Sequence, residues 1–264
     1  MNEDLISKTE LAEVLGISRA SLYYEHIQPI KDWHLKCRIE EVLREFPSYG
    51  HKRIAMRLGK NKKPVLRVMK IFGIKPKRRR RKPRFKAKNS HEAYPNLLIK
   101  KDNIPGSVNH IWTSDFTYLW FKDKWVYLAT ILDLFTREIV GCSVLTNHTT
   151  DLISNALLQA AITRSNAPQI LHSDQGSEYA SQEYTSLVKS LNIQPSMSHK
   201  ASPWENGYQE GFYSQFKLDL GDPSRFDNLG ELTYNIYRAV YIYNNQRIHT
   251  ALKMPPAEFA KIHQ

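Results

Sequence analysis

Three acidic side chains stand where a carboxylate needs a reason. Asp115 lies inside IWTSDFTYLW, a stretch otherwise apolar, aromatic and β-branched. A charge in the middle of such a strand is costly unless it is paired or bound to a cation. Asp174 follows the short run QILHS and precedes Gly176. That places it at the C-terminal end of a strand, where open α/β sheets put their ligands. Glu210 sits in WENGYQEGFYSQFK, on a helical pattern, with Phe212, Phe216 and Trp204 available to bury other faces. Any one of these acids alone could be a cap, a salt-bridge partner or a solvated group. As a set they offer oxygen donors of the kind that hard divalent ions such as magnesium prefer. Fifty-eight residues separate the first two, and 35 separate the second from the third.

The elements that must position them can be read from the pattern. Residues 111–121, 124–135 and 138–146 are rich in Val, Ile, Tyr, Trp and Thr, with short polar gaps at Lys122-Asp123 and Thr136-Arg137. They predict three strands paired as antiparallel hairpins. A helix is expected over 150–165, a short strand over 169–172, a helix over 181–191 and another short strand over 193–196, the last on apolar content alone. From Glu205 the chain reads as helical to its end, broken near Asp222-Pro223 and at Pro255-Pro256. A meander followed by alternating helix and strand implies an α/β core, a mixed sheet with helices packed on it.

The front of the chain differs in character. Thr9–Leu15 has helical spacing, Gly16-Ile17-Ser18 breaks it, and Ser18 can N-cap a second short helix over 19–24. This is a helix-turn-helix outline, with Arg19 and Ser21 at the start of the second helix, where such motifs meet DNA. A second helical module follows, with helices over 34–46, 52–58 and 64–72, Pro64 at N1 and Gly73 at C′ of the last. Residues 75–88 hold ten Lys or Arg in fourteen positions, Arg78, Arg79, Arg80 and Arg81 among them. Bound to DNA, such a run displaces counterions and gives affinity without sequence choice. Residues 1–104 carry 26 basic against 11 acidic side chains, and residues 105–264 carry 12 against 15. The net charge of +12 therefore belongs to the front, which suggests a polyanion-binding end joined to something with another task. Five segments are expected: 1–30, a helix-turn-helix-like segment; 31–74, the second helical module; 75–104, a basic linker; 105–222, the α/β core; and 223–264, a helical extension.

Composition narrows the setting. Two cysteines, Cys37 and Cys142, build neither a disulfide framework nor a Cys-rich zinc module, and a reducing cytoplasm is the natural compartment. The acidic Met-Asn-Glu-Asp start has no apolar h-region. The longest apolar stretch, Trp125 to Phe135, is interrupted by Asp133 and too short to span a bilayer, so no membrane partner is expected.

The strings IWTSDFTYL, TILDLFTREIVG, ILHSDQGSEY, SPWENGYQEGFYSQFK and YNNQRIHTALKMPPAEF occur in this order, preceded by SYGHKRIAMRL. In these the chain resembles the retroviral-integrase-like transposases with an Asp, Asp, 35-residue gap, Glu signature. Within them it resembles the second-frame proteins of the bacterial insertion sequence three family. The resemblance covers nearly the whole chain. It implies a ribonuclease-H-like core preceded by all-α helix-turn-helix modules, and an enzyme that cuts and joins DNA strands of an insertion sequence.

It also implies that Asp115, Asp174 and Glu210 are both catalytic residues and metal ligands, with two magnesium ions as cofactors and manganese as a substitute. Phosphodiester cleavage passes through a transition state crowded with negative charge. Two ions roughly 4 Å apart activate the attacking oxygen and stabilise the leaving one. Without metal, clustered carboxylates repel, so their pKa values should be raised.

Lys217, seven residues after Glu210 and two helical turns along the same face, can reach DNA beside the metals. Asn206, four before Glu210, shares that face. His172, Gly176 and Tyr179 belong to the HSDxGxxY string. Gly176 suits a tight turn, Tyr179 packs, and His172 fits a core role or a substrate contact equally. Asp133 reads as structural. Arg247 and His249 fall in the last string without a chemical role. Retroviral integrases carry a zinc-binding His/Cys module that these cysteines cannot supply. The implied partners are double-stranded DNA at element ends and target, further copies of the chain, and a first-frame product or fusion. Two other classes remain: a DNA-binding regulator with a decayed core, and a structure-selective nuclease. The intact acids with Lys217 favour the strand-transferase over the first, and the tandem helical modules favour it over the second.

Overall fold

The computed structural model describes residues 7–23, 27–78, 94–98, 104–198 and 206–263. Arg79, Arg80, Arg81, the rest of the basic run and Trp204 lie outside the described residues. At the front, helix α1 (Lys8–Val14) carries a complete capping box, with Ser7 and Glu10 each satisfying the other's backbone N–H. The second short element, Arg19–Tyr23, is a 3-10 helix rather than an α-helix. Its five residues are too few to bury a face, and Ser18 Oγ meets the Ser21 N–H at 3.3 Å, the i to i+3 reach of a tight turn. Helices α2 (Gln28–Glu45), α3 (His51–Arg57) and α4 (Lys62–Ile71) follow. α2 starts six residues earlier than expected, at a turn containing Pro29. α4 is capped by Asn61, which accepts from Lys63 N at 2.9 Å, so Pro64 stands at N3 rather than N1. Gly73 takes the left-handed φ of +64° that a residue with a Cβ would resist.

Strands β1 (Ile111–Phe121), β2 (Lys124–Asp133) and β3 (Ile139–Leu145) form the expected antiparallel meander. Helix α5 (Thr150–Arg164) crosses to β4 (Ile170–Ser173), and α6 (Gln182–Ser190) crosses to β5 (Gln194–Met197). Both late strands add in parallel, giving the order β3-β2-β1-β4-β5. β4 pairs with β1 only at Ile111, Trp112 and Thr113. Beyond Thr113 that edge of β1 has no partner strand among the described residues, and a fork opens between β1 and β4.

Side chains alternate across the sheet with period two. On one face Leu119, Phe121, Leu128 and Leu132 pack against Phe212, Phe216 and Leu220 of α7 (Gly207–Leu220) and Leu232 and Ile236 of α8 (Leu229–Asn245). On the other, Trp112, Ala129, Ile131 and Val140 pack against Leu152, Ile153, Ala156 and Ala160 of α5 and Val188 of α6. The result is a mixed α/β sheet between two helical layers. Gly141 of β3 is what lets α5 lie so close. A Cβ there would stand 2.2 Å from the Ala156 carbonyl oxygen and 2.7 Å from the Ala160 Cβ. Gly141→Ala is therefore expected to destabilise the fold by about 1–3 kcal/mol. Urea unfolding measures it, and an unchanged midpoint would mean that α5 shifts freely on the sheet.

The end of the chain departs from expectation. The break at Asp222-Pro223 is present, as a 3-10 turn over Pro223–Arg225. Helix α8 stops at Asn245, however, and residues 246–255 are irregular, closed by a bridge between His249 and Met254, before α9 (Pro256–Ile262). The cause is tertiary. Ile248 leaves the helix path to join Leu35, Ile39, Ile54, Val65 and Val68 in one core built by α2, α3 and α4. Among the described residues no helix is long and apolar enough to cross a membrane.

Candidate active site

The fork between β1 and β4 holds two of the three acids. Asp115 lies two residues past the last β1 position paired to β4, and Asp174 lies one residue past the end of β4. Asp115 Oδ1 accepts the Phe116 N–H at 2.8 Å. Burial, then the negative charge of Asp174, pushes the Asp115 carboxyl up to about 8, with Glu210 adding a smaller push. Asp174 is also raised, by burial first and by Glu178 beside it, although its Oδ1 accepts the Gly176 N–H at 3.0 Å. Burial and like charge both disfavour ionised carboxylates, which is why these pKa values rise.

Gly176 brings the backbone against Asp174. A Cβ there would stand 3.2 Å from Asp174 Oδ1 and 2.8 Å from Glu178 Oε2. Tyr179 is buried, and its hydroxyl shares a hydrogen bond of 3.1 Å with Ser114 Oγ, tying the turn after Asp174 to the residue before Asp115. His148 and Glu178 form a side-chain pair at 3.3 Å next to Asp174. The His148 ring packs on Phe116 at 4.4 Å and Tyr127 at 5.3 Å, both on the hairpin that carries Asp115. Nothing in the sequence around His148 distinguishes it from a loop residue.

Glu210 enters from α7, in its first turn and exposed. The register of α7 is set by its neighbours. Gln209, fully buried, donates its amide to the carbonyls of Thr113 at 2.8 Å and Thr130 at 3.2 Å. One turn on, the Tyr213 hydroxyl donates to the backbone carbonyl of Asp115 itself at 2.6 Å. Both satisfy backbone groups of β1 and β2 beside the fork, which buried polar groups require. The sequence alone gives Gln209 and Tyr213 no role at the site. Their signal was present: positions 209, 213, 216 and 220 form the sheet-facing stripe of α7. Lys217 Nζ donates to the Tyr118 carbonyl at 2.9 Å on the unpaired edge of β1 and lies 5.3 Å from the Tyr118 ring. Asn206 is the N-cap of α7, buried, and its Oδ1 has no hydrogen-bond partner among the described residues.

The remaining candidates lie elsewhere. Arg19 and Ser21 are exposed on the 3-10 helix, far along the chain from the fork, and Arg78 is exposed after α4. His172 is fully buried with Nδ1 2.9 Å from Ser196 Oγ, a core position between β4 and β5. Asp133 is buried and accepts from the N–H groups of Asn109, Phe135 and Thr136 at 2.8, 2.8 and 3.0 Å, fixing the turn after β2. Among the described residues no three His, Cys, Asp or Glu side chains converge closely enough to enclose an ion. The charge of Asp174 nonetheless raises the Asp115 carboxyl, and both supply the oxygen donors that a hard cation takes.

Comparison with known proteins places the chain in a family. A family model described as an integrase core domain matches residues 106–203, and a second of the same description matches residues 191–256. The transposase for insertion sequence element IS904 of Lactococcus lactis is 34% identical over 207 residues, covering 76% of this chain and 81% of that protein. A 31 kDa protein of insertion element IS600 from Shigella sonnei is 31% identical over 272 residues, covering 96% of this chain and 99% of that one. Among solved structures, a chain of the simian T-cell lymphotropic virus intasome, determined in complex with PP2A regulatory subunit B56 gamma, matches with a TM-score of 0.52. That match covers 83% of this chain and 73% of that one at 19% identity, a likeness of fold alone. The chain belongs to the insertion-sequence transposases of the insertion sequence three family, polynucleotidyl transferases built on a ribonuclease-H-like integrase core.

Proposed function

We propose that this transposase cleaves the ends of its element and joins them to target DNA through Asp115, Asp174 and Glu210. The observation that carries the reading is the fork between β1 and β4, which buries Asp115 beside Asp174 so that the second charge disfavours the first. Such a pair is unfavourable until a cation relieves it. The three carboxylates would hold divalent magnesium, or manganese in its place. When bound, the ions would activate the attacking oxygen and stabilise the leaving one.

The chain's own residues do the positioning. The Tyr213 hydroxyl on the Asp115 carbonyl, with the Gln209 amide on those of Thr113 and Thr130, holds β1 against α7 and so sets Asp115 relative to Glu210. The Gly176 N–H orients Asp174. Lys217, on the open edge of β1, supplies positive charge beside the fork for a DNA phosphate. Arg78 to Arg81 and the front helices add affinity for the duplex, and further copies of the chain bring a second active site to the second DNA end.

Glu210→Gln tests the reading because it preserves size and removes one charge. Folding and duplex binding should survive, while cleavage of labelled element ends with magnesium falls by at least about 10²-fold. The assay uses the full chain, with the first-frame product added. Cleavage by the variant at the wild-type rate would remove Glu210 from the site. Absence of both divalent-ion binding and cleavage in the wild type would hand the case to a DNA-binding regulator.

A further inference from the structure

One concentration of positive charge has no part in the proposed chemistry. Arg53 of α3, with Arg247 and His249 of the irregular segment after α8, walls a cavity of about 260 Å³ on the outward side of α7. Gly207, Tyr208 and Gly211 form its floor. Arg137, from the turn between β2 and β3, stacks its guanidinium 3.7 Å above the ring of the lining residue Tyr208 and adds its charge beside His249. Liquid water takes about 30 Å³ per molecule, so the space accepts several waters or one tetrahedral oxyanion.

The lining is built for an anion. None of the described residues lining the cavity is acidic. The carboxylate nearest in this network, Asp219, is already engaged by Arg247. Arg137 Nη1 and His249 Nδ1 are buried without a hydrogen-bond partner among the described residues. Leaving a buried donor unpaired costs about 1–3 kcal/mol. The cations also oppose one another. Burial, then Arg247, lowers the Arg53 guanidinium, and burial with the three arginines holds His249 down to about 4. Gly207 and Gly211 have nothing within 4 Å of where a Cβ would stand, so the surface of α7 is open there.

We propose that this cavity seats one phosphate group of a DNA strand lying along α7, gripped by Arg53 and Arg137. This rests on the DNA substrate proposed above. A guanidinium fork matches two phosphate oxygens at once, and neutral His249 can present Nδ1–H to a third. Contacts to phosphate position a strand without reading its sequence. Gly207 and Gly211 flank Glu210 on the same helix, so a seated phosphate fixes the strand relative to the third carboxylate.

The test uses the full chain and the double variant Arg53→Gln, Arg137→Gln. Removing mutually repelling cations should leave the melting temperature unchanged or raised, whereas affinity for an element-end duplex falls on the order of tenfold. A scan with single neutral methylphosphonate linkages locates the seat. One linkage should weaken wild-type binding and be silent in the double variant, with the other linkages unaffected by the substitutions. Continued sensitivity at that linkage in the variant overturns the proposal. Inorganic phosphate is the second arm. If it stabilises the wild type and not the variant, yet no linkage depends on the two arginines, the cavity is a free-anion site and the DNA seat is wrong. If the wild-type chain with the first-frame product added binds no duplex, the proposed function and the seat fall together, and the phosphate arm still reports whether the cavity holds an oxyanion.

Discussion

Asp115→Asn is expected to abolish DNA cleavage and, in the same molecule, to raise the melting temperature of the metal-free protein at pH 8. The two effects share one cause. In the unfolded chain the carboxyl titrates near its ordinary value of 3.8, and in the fork burial and Asp174 raise it to about 8. Below about pH 4 both states hold the proton and nothing is lost. Between pH 4 and pH 8 the unfolded chain gives up a proton that the folded state keeps, so stability falls as pH rises. Above the folded pKa the difference is constant. At about 1.4 kcal/mol per pH unit the whole effect is on the order of 5 kcal/mol. Asn is neutral throughout and keeps the oxygen that accepts the Phe116 N–H. The variant should therefore lack this slope, melting like wild type at pH 4 and well above it at pH 8, at roughly 2–4 °C per kcal/mol. Added magnesium or manganese should reverse the order by stabilising the wild type alone. Thermal melts at the two pH values, with and without the ion, check each step. A variant that melts lower than wild type at pH 8, or keeps the same pH slope, would show that Asp115 is a structural ion-pair partner.

Asp115 and Asp174 are legible because each contradicts its surroundings, whereas Glu210, exposed in the first turn of α7, stands out only by its spacing from them. Asp115 interrupts an apolar strand and Asp174 ends one, and strands announce themselves by composition. The sheet was readable for the same reason, down to β5, whose four residues pair fully with β4. What lay outside reach was anything decided by distant partners. His148 matters through Phe116, Tyr127 and Glu178, which come from a strand, its neighbour and a later turn. The end of α8 departs from the sequence expectation because propensity favours continuing the helix, whereas burial of Ile248 among α2, α3 and α4 outweighs it. Gln209 and Tyr213 fall between these cases. Their spacing placed them on the buried stripe of α7, but only the positions of the Thr113, Thr130 and Asp115 carbonyls show why a polar pair stands there. The division follows from range. Local pattern reports the element and the face, and the choice of partner belongs to the assembled fold.

Arg247 is the clearest residue of the second kind, and Arg247→Ala is expected to destabilise the protein by about 3 kcal/mol at pH 7. Its side chain is 4% exposed and bonds three groups from two parts of the chain. It pairs with Asp219 of α7, and it donates to Gln215 of the same helix at 2.6 Å and to Ser48 of the α2–α3 turn at 2.9 Å. Ser48 in turn donates to Asp219 at 2.9 Å, and the guanidinium lies 5.2 Å from the Tyr49 ring. Beside it the Tyr49 hydroxyl accepts the Ile248 N–H at 2.7 Å. One cation thus joins the helix that carries Glu210 to the front helices and to the irregular segment. Removing it leaves Asp219 partly buried without its counter-charge. Burial already raises the Asp219 carboxyl despite Arg247, and without the guanidinium it should rise further. The sign of the pH dependence follows. The penalty in the variant is present where the unfolded Asp219 is ionised, and it shrinks as pH falls below about 4, where both states are protonated. Asp219→Asn in the Arg247→Ala background should recover part of the loss at pH 7 and none at low pH. Arg247→Lys keeps the charge but not the fork that spans Asp219, Gln215 and Ser48, so it should fall between alanine and wild type. Urea unfolding of the single and double variants at both pH values supplies the comparison. Additive losses from the two substitutions would mean that Arg247 holds the front helices to α7 by packing alone.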